Sequence, residues 1–254
     1  MRGFGAFLAK ERQETVRTWR IWVIPGMLVF FAITSPLVAL VTPRLLTSLA
    51  SSTPGVLIQL PDPTAADAYG QFLKSLSQIV IIAVIIAGAG IVSSERSSGT
   101  AILVLTKPVS RTAFVLAKLV STLTLVVTFT VIATLLCVAV ARAIFPASAL
   151  GPLFRAIGLW MVHAGLLVTV MTFFSVLLPS LAAAAGAGLG FLFLSLLLSI
   201  WPAAARYTFS GLPGAAGGAL AGSPDPVAWP VVTALAAAAA FTLAAVELFK
   251  RQEL

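Results

Sequence analysis

Charge is what this chain has least of. Only 9% of its 254 residues are Asp, Glu, Lys or Arg, where a soluble domain of this length carries about one quarter. Apolar residues make up 59% and the mean hydropathy is +1.07. Such a composition cannot cover a water-facing surface, so lipid must solvate most of the chain. Cysteine is almost missing too. Cys137 is the sole thiol, which excludes an intramolecular disulfide and any zinc site of Cys/His spacing. It sits in an apolar run and reads as a small buried or lipid-facing side chain. There is one histidine, His163, and no lysine follows a glycine. A phosphate-cradling Gly-x-x-x-x-Gly-Lys-Ser/Thr loop is therefore absent.

The charge that is present is mostly positive, with a net value of +8. Lys and Arg fall in short clusters between long apolar runs and not along one polar or aromatic face. This favours a topology signal over nucleic-acid binding. The first charge-free run begins at Ile21 and is longer than the apolar core of a signal peptide. The start therefore reads as a cytoplasmic segment leading into a membrane anchor.

The expected fold is an all-α membrane protein, a single domain over 1–254. An N-terminal amphipathic interfacial helix precedes six transmembrane helices, and a short cytoplasmic helix lies between spans two and three. The spans are placed at 21–43, 76–94, 119–141, 156–177, 182–202 and 229–248, each long enough to cross the hydrocarbon core. Pro25 and Pro36 are candidate kinks in the first. The charge-free stretch from Ala156 to Ala205 is too long for one helix and breaks at Pro179-Ser180. Residues 44–75 and 203–228, rich in Pro, Gly and polar side chains, read as extracytoplasmic loops. A short helix near Ala65–Phe72 and a re-entrant piece around Tyr207–Leu220 are compatible with them. Six spans place eleven Lys and Arg with the termini and the 95–118 loop, against five on the other side. Both termini are thus expected in the cytoplasm. The Ala-rich, Lys-poor composition suits the plasma membrane of a prokaryote.

The segment Phe4–Trp22, an elbow over 1–20 running into the first span, carries Phe4, Phe7, Leu8, Trp19 and Trp22 on one helical arc. Lys10, Gln13, Glu14, Arg17 and Arg20 take the other. Glu11 is the misfit, because it falls among the apolar residues. The pattern suits a helix anchored in the headgroup plane, with a plain positive-inside anchor as the alternative. The loop 95–118 contains the apolar patch Ala101–Leu105 flanked by charge. A helix from about Ser98 to Thr106 would end before Pro108. Its apolar side chains would either dock on another protein or dip back into the membrane interface. Gly186 and Gly190 form a Gly-x-x-x-Gly pair suited to close helix packing. Glu247 can pair with Lys250 or Arg251 at spacing three or four. His163 has no acidic neighbour within the spans, so a packed or hydrogen-bonded role is favoured over a proton relay.

The stretch SSERSSGTAILVLTKPVSRTAFVLAK resembles the first cytoplasmic loop of type-2 permeases of ATP-binding cassette (ABC) exporters. The matching residues are Glu95, Gly99, Thr100, Leu103, Leu105, Pro108, Ser110, Arg111 and Lys118. The family usually has Gly before that lysine, where this chain has Ala117. The layout is similar over the whole chain: elbow helix, six spans, loop between spans two and three, broken region after span five, charged tail. The likeness is strongest to the compact branch that includes copper-enzyme-maturation and drug or antibiotic efflux permeases. It implies that 95–118 is a coupling helix seated on a separate ATPase, present in two copies that bind ATP and Mg. It also implies a second permease subunit, usually a homodimer, with substrate passing at the interface. No cofactor or metal is expected in this chain, and no catalytic residue. No charge falls at mid-membrane depth, which favours an apolar or amphipathic substrate. Two other classes stay open: a membrane scaffold that docks an ATPase without transport, and an intramembrane enzyme. The latter lacks the paired acids, metal ligands or nucleophile–base set that catalysis requires.

Overall fold

The computed structural model describes residues 5, 8–11, 13, 20–51, 62–93, 110–223 and 226–252. The described residues are helical wherever they are regular. Helix α1 spans Arg20–Ser51. Helix α2 spans Ala65–Ala89 and contains a π-turn at Leu76–Val80. Then follow α3 (Arg111–Ile144), α4 (Gly151–Leu177) and α5 (Leu181–Leu198). Beyond α5 come the short α6 (Pro202–Tyr207), a 3₁₀ turn at Phe209–Gly211 and α7 (Leu212–Leu220). Helix α8 (Ala228–Arg251) closes the bundle. Six of these helices, α1 to α5 and α8, are long and apolar enough to cross a membrane.

Helix α4 is the hub, since α2, α3, α5, α7 and α8 all pack on it. Its most apolar window is 67% buried, whereas the corresponding windows of α5 and α8 are only 17% buried. Each outer helix turns a narrow stripe inward. Ile24, Leu28, Ala32, Ser35 and Ala39 are buried on α1 at helical spacing. The remaining apolar faces, including Phe193, Leu194 and Leu243, are exposed. Such faces suit lipid, because lipid tails cost an apolar side chain nothing. Several threonine hydroxyls inside the spans bond their own helix. Thr34, Thr42, Thr134, Thr172 and Thr242 each donate to the carbonyl one turn back, at 2.7–2.8 Å. Cys137 is fully buried in α3.

Three boundaries differ most from the sequence expectation. Helix α2 begins eleven residues before the expected 76, because Thr64 and Asp67 form a reciprocal cap. The Thr64 N–H and hydroxyl donate to Asp67 Oδ2 at 2.8 and 2.7 Å, and the Asp67 N–H donates to Thr64 Oγ1 at 3.4 Å. That cap turns 65–75 from loop into the first turns of a span, with Asp67 at its end. Helix α3 likewise starts at Arg111 and not at 119, because Ser110 Oγ accepts from the Ala113 N–H at 3.2 Å. Helix α1 runs through Pro25, Pro36 and Pro43 to Ser51, eight residues past the expected end. The break at Pro179-Ser180 falls as expected, with Ser180 capping α5 through the Ala183 N–H.

Among the described residues, the Gly-x-x-x-Gly pair packs on no other helix of this chain. No atom lies within 4 Å of a Cβ built at Gly186 or Gly190. The close approach is made one residue pair away, at Gly188. A Cβ there would strike the Met171 sulfur, and one at Gly88 would lie 2.7 Å from Met171 Cβ. Met171 of α4 thus fills a slot left by two glycines on α2 and α5. The reason is periodicity. Ala184, Gly188 and Ser195 form the inward stripe of α5, which puts 186 and 190 on the outward face.

Candidate functional site

Beyond α2 the described chain runs to Ser93 and resumes at Ser110 before α3, and the ends of several helices converge on these two points. Helix α2 stops at a Gly90 turn. The backbone N–H groups of Val92 and Ser93 both donate to Ser175 Oγ on α4, each at 2.9 Å. That hydroxyl in turn donates to the Ala89 carbonyl at 2.8 Å. One donor and two lone pairs are all used. The cluster is buried, so each bond replaces an otherwise costly orphan.

At the second point, Arg111 reaches across to the end of α8. Its Nη1 donates to the carbonyls of Gln252 at 2.6 Å, Lys250 at 2.9 Å and Phe249 at 3.3 Å. The last carbonyls of a helix lack intrahelical partners and carry partial negative charge, so a guanidinium there both caps and neutralises. Three residues on, the Phe114 ring stacks on Phe249 with centroids 5.2 Å apart and planes 4° from parallel. Gln252 Nε2 donates to the Val176 carbonyl at 2.9 Å, which ties the end of α8 beside Ser175.

Lys118 lies one more turn along α3. Its Nζ is 5.1 Å from the Phe114 ring centroid and 3.0 Å from Glu11 Oε2. Both side chains of this ion pair are buried, at 6% and 7% exposure. Glu11 Oε1 also lies 3.4 Å from Lys10 Nζ. Glu11 is buried, Leu8 packs on the core, and Lys10 and Gln13 point out. The residue that misfits the apolar arc is therefore the one that meets a buried cation. One end of the bundle thus gathers Glu11, the end of α2, the start of α3 and the ends of α4 and α8.

Of the residues singled out in sequence, Ser110, Arg111 and Lys118 come together here. Glu95, Gly99, Thr100, Leu103, Leu105 and Pro108 lie outside the described residues, as do Phe4, Phe7 and Trp19. Trp22 is 78% exposed on the first turn of α1. Glu247 pairs with both expected partners, Lys250 at 3.4 Å and Arg251 at 3.2 Å. His163 is buried in α4. Sequence reasoning missed Ser175, Phe114, Phe249 and Gln252. A serine or phenylalanine in an apolar span carries no visible mark of its partner. Arg111 could have signalled the α8 end only through the rule that cations seek helix C-termini.

The chain is similar to an uncharacterized transmembrane protein, YxlG, of Bacillus subtilis (strain 168). The two are 21% identical over 203 residues, covering 80% of this chain and 79% of the relative. A family described as a protein of unknown function, DUF2705, matches residues 37–254. That match takes in α2 to α8, Ser175, Arg111, Lys118 and the α8 end, so this multi-pass membrane chain belongs to the DUF2705 family.

Proposed function

We propose that this chain is the permease subunit of an ATP-driven ABC exporter of the type-2 kind, with ATP hydrolysis in a separate ATPase subunit. The observation that carries the reading is the bracing of the two feet of the 94–109 segment. The Ser93 foot is tied into α4 by Ser175, and the Ser110 foot into α8 by Arg111. A push delivered to a segment held this way reaches α2, α3, α4 and α8 together. An unbraced loop would absorb the same push. Glu11 on Lys118 adds the N-terminal segment to the set. In this reading the apolar patch Ala101–Leu105 seats on the ATPase, two permease chains pair, and an apolar or amphipathic substrate moves between them. The termini face the cytoplasm of a prokaryotic cell.

The test is copurification. A C-terminally tagged chain, gently solubilised from native membranes, is expected to bring down a stoichiometric soluble ATPase. Replacing Leu103 and Leu105 by Glu is expected to lose it. Ser175→Ala is expected to keep the ATPase bound while transport-linked ATP hydrolysis falls severalfold, with Ser175→Thr intermediate. A monodisperse chain that brings down no ATPase would overturn the proposal.

A further inference from the structure

The opposite end of the bundle holds a cavity that the coupling reading does not use. It has a volume of about 520 Å³ and lies between the end of α5 and the start of α8. Ser199 and Pro202 form one wall, Pro226 and Pro230 another, and Gly211 to Ala215 a third. This is within the range of small-molecule sites. The local sequence explains the hollow. Pro202 starts α6 and Pro213 sits in the first turn of α7, so the chain breaks twice within a dozen residues. Glycine and alanine then supply almost no side chain to fill the gap. At Gly214, no atom lies within 4 Å of a built Cβ.

Among the described residues, Arg206 is the one cation lining this cavity and no Asp or Glu lines it. Its guanidinium carbon lies 5.7 Å from the Tyr207 ring centroid. Tyr207 meets Trp229 edge-on at 6.4 Å, and Trp201, Tyr207 and Trp229 are 66%, 50% and 57% exposed. Exposed Trp and Tyr at the ends of membrane-spanning helices mark the headgroup level. The guanidinium is therefore held at the depth of lipid phosphates. Beside this aromatic group lie exposed apolar side chains, Leu194 and Leu197 on α5 and Val232 and Leu235 on α8. A hollow that offers one cation and two serine hydroxyls, beside apolar helix faces, suits an amphiphile with an anionic head.

We infer that this cavity binds the phosphate headgroup of an anionic amphiphile through Arg206, with the acyl chains lying against α5 and α8. Planar guanidinium suits phosphate because it offers two parallel donors. The site stands on the cavity and on the chain's membrane-spanning character. It does not need the ATPase, so either reading can fail without the other.

The experiment is native mass spectrometry of the full chain released from mixed micelles of phosphatidylglycerol and phosphatidylcholine. Wild type is expected to retain phosphatidylglycerol in preference. Arg206→Gln should reduce that preference by about fivefold, the order for one partly exposed charge-assisted contact, and Arg206→Lys should keep most of it. Gly214→Leu keeps the arginine but fills the hollow, and should also abolish the preference. Arg155→Gln removes another exposed cation, at the start of α4, and should change nothing. Excess inorganic phosphate distinguishes the sources. Displacement of the lipid assigns recognition to the phosphate group alone, and retention assigns it to the whole amphiphile. A preference that survives Arg206→Gln, or falls equally with Arg155→Gln, would overturn the inference.

Discussion

Glu11 and Lys118 illustrate how a single residue can look wrong in sequence and right in space. A carboxylate on the apolar arc of an N-terminal helix costs several kcal/mol to bury alone. Opposite Lys118 at 3.0 Å, with the cation also near the Phe114 ring, the same carboxylate becomes an attachment point. Removing either side breaks a buried ion pair, which typically costs about 3–5 kcal/mol. Thus Glu11→Ala and Lys118→Ala should each lower the thermal unfolding temperature in detergent markedly. The exchange Glu11→Lys with Lys118→Glu should recover part of the loss. If the swap is no better than either single change, the pair does not act as a pair. Ser175 had no such mark, because a hydroxyl in a span most often bonds its own helix, as Thr172 does. Its reach to a neighbouring helix is visible only in three dimensions.

Among elements, the long apolar runs were legible because hydrocarbon imposes one length and one composition on anything that crosses it. Their ends were not. Residues 65–75 contain Asp67 and Lys74, and charge there reads as loop. The Thr64–Asp67 cap makes the same residues helix. Charge near a helix end is compatible with a span when it sits near the headgroups. The broken stretch after α5 was legible as broken, from its glycines and prolines, but its path was not. That path depends on Gly211, where a Cβ would collide with the Ala205 carbonyl oxygen. Backbone cannot yield as a side-chain tip can. Gly211→Ala should therefore cost at least about 1–3 kcal/mol and loosen α6 against α8 and α7 against α4. Gly214→Ala, which meets open space, should be tolerated. Comparing unfolding temperatures of the two variants checks the contrast; equal losses would mean the turn relaxes.

For the whole molecule, burial is unevenly shared. Helix α4 is enclosed, while α5 and α8 turn most of their surface outward. A single chain therefore presents two weakly covered spans on which lipid or a second copy can lie. In the proposed topology the Gln252 end faces the cytoplasm and the Ser223 side the exterior. Cys137 is fully buried, so the native chain gives little background to aqueous thiol reagents. With Cys137→Ala, a cysteine at Ser223 should react with a membrane-impermeant maleimide in intact cells. One at Gln252 should react only after permeabilisation, and the reverse pattern would invert the topology.

The cap on α8 also has a history. Arg111 bonds carbonyls that lie 138 to 141 residues further along the chain. While those residues are still being synthesised, the five spans that precede α8 already exist with that end of the bundle unclosed. The joint that Arg111 makes is therefore the last part of the bundle the chain can complete.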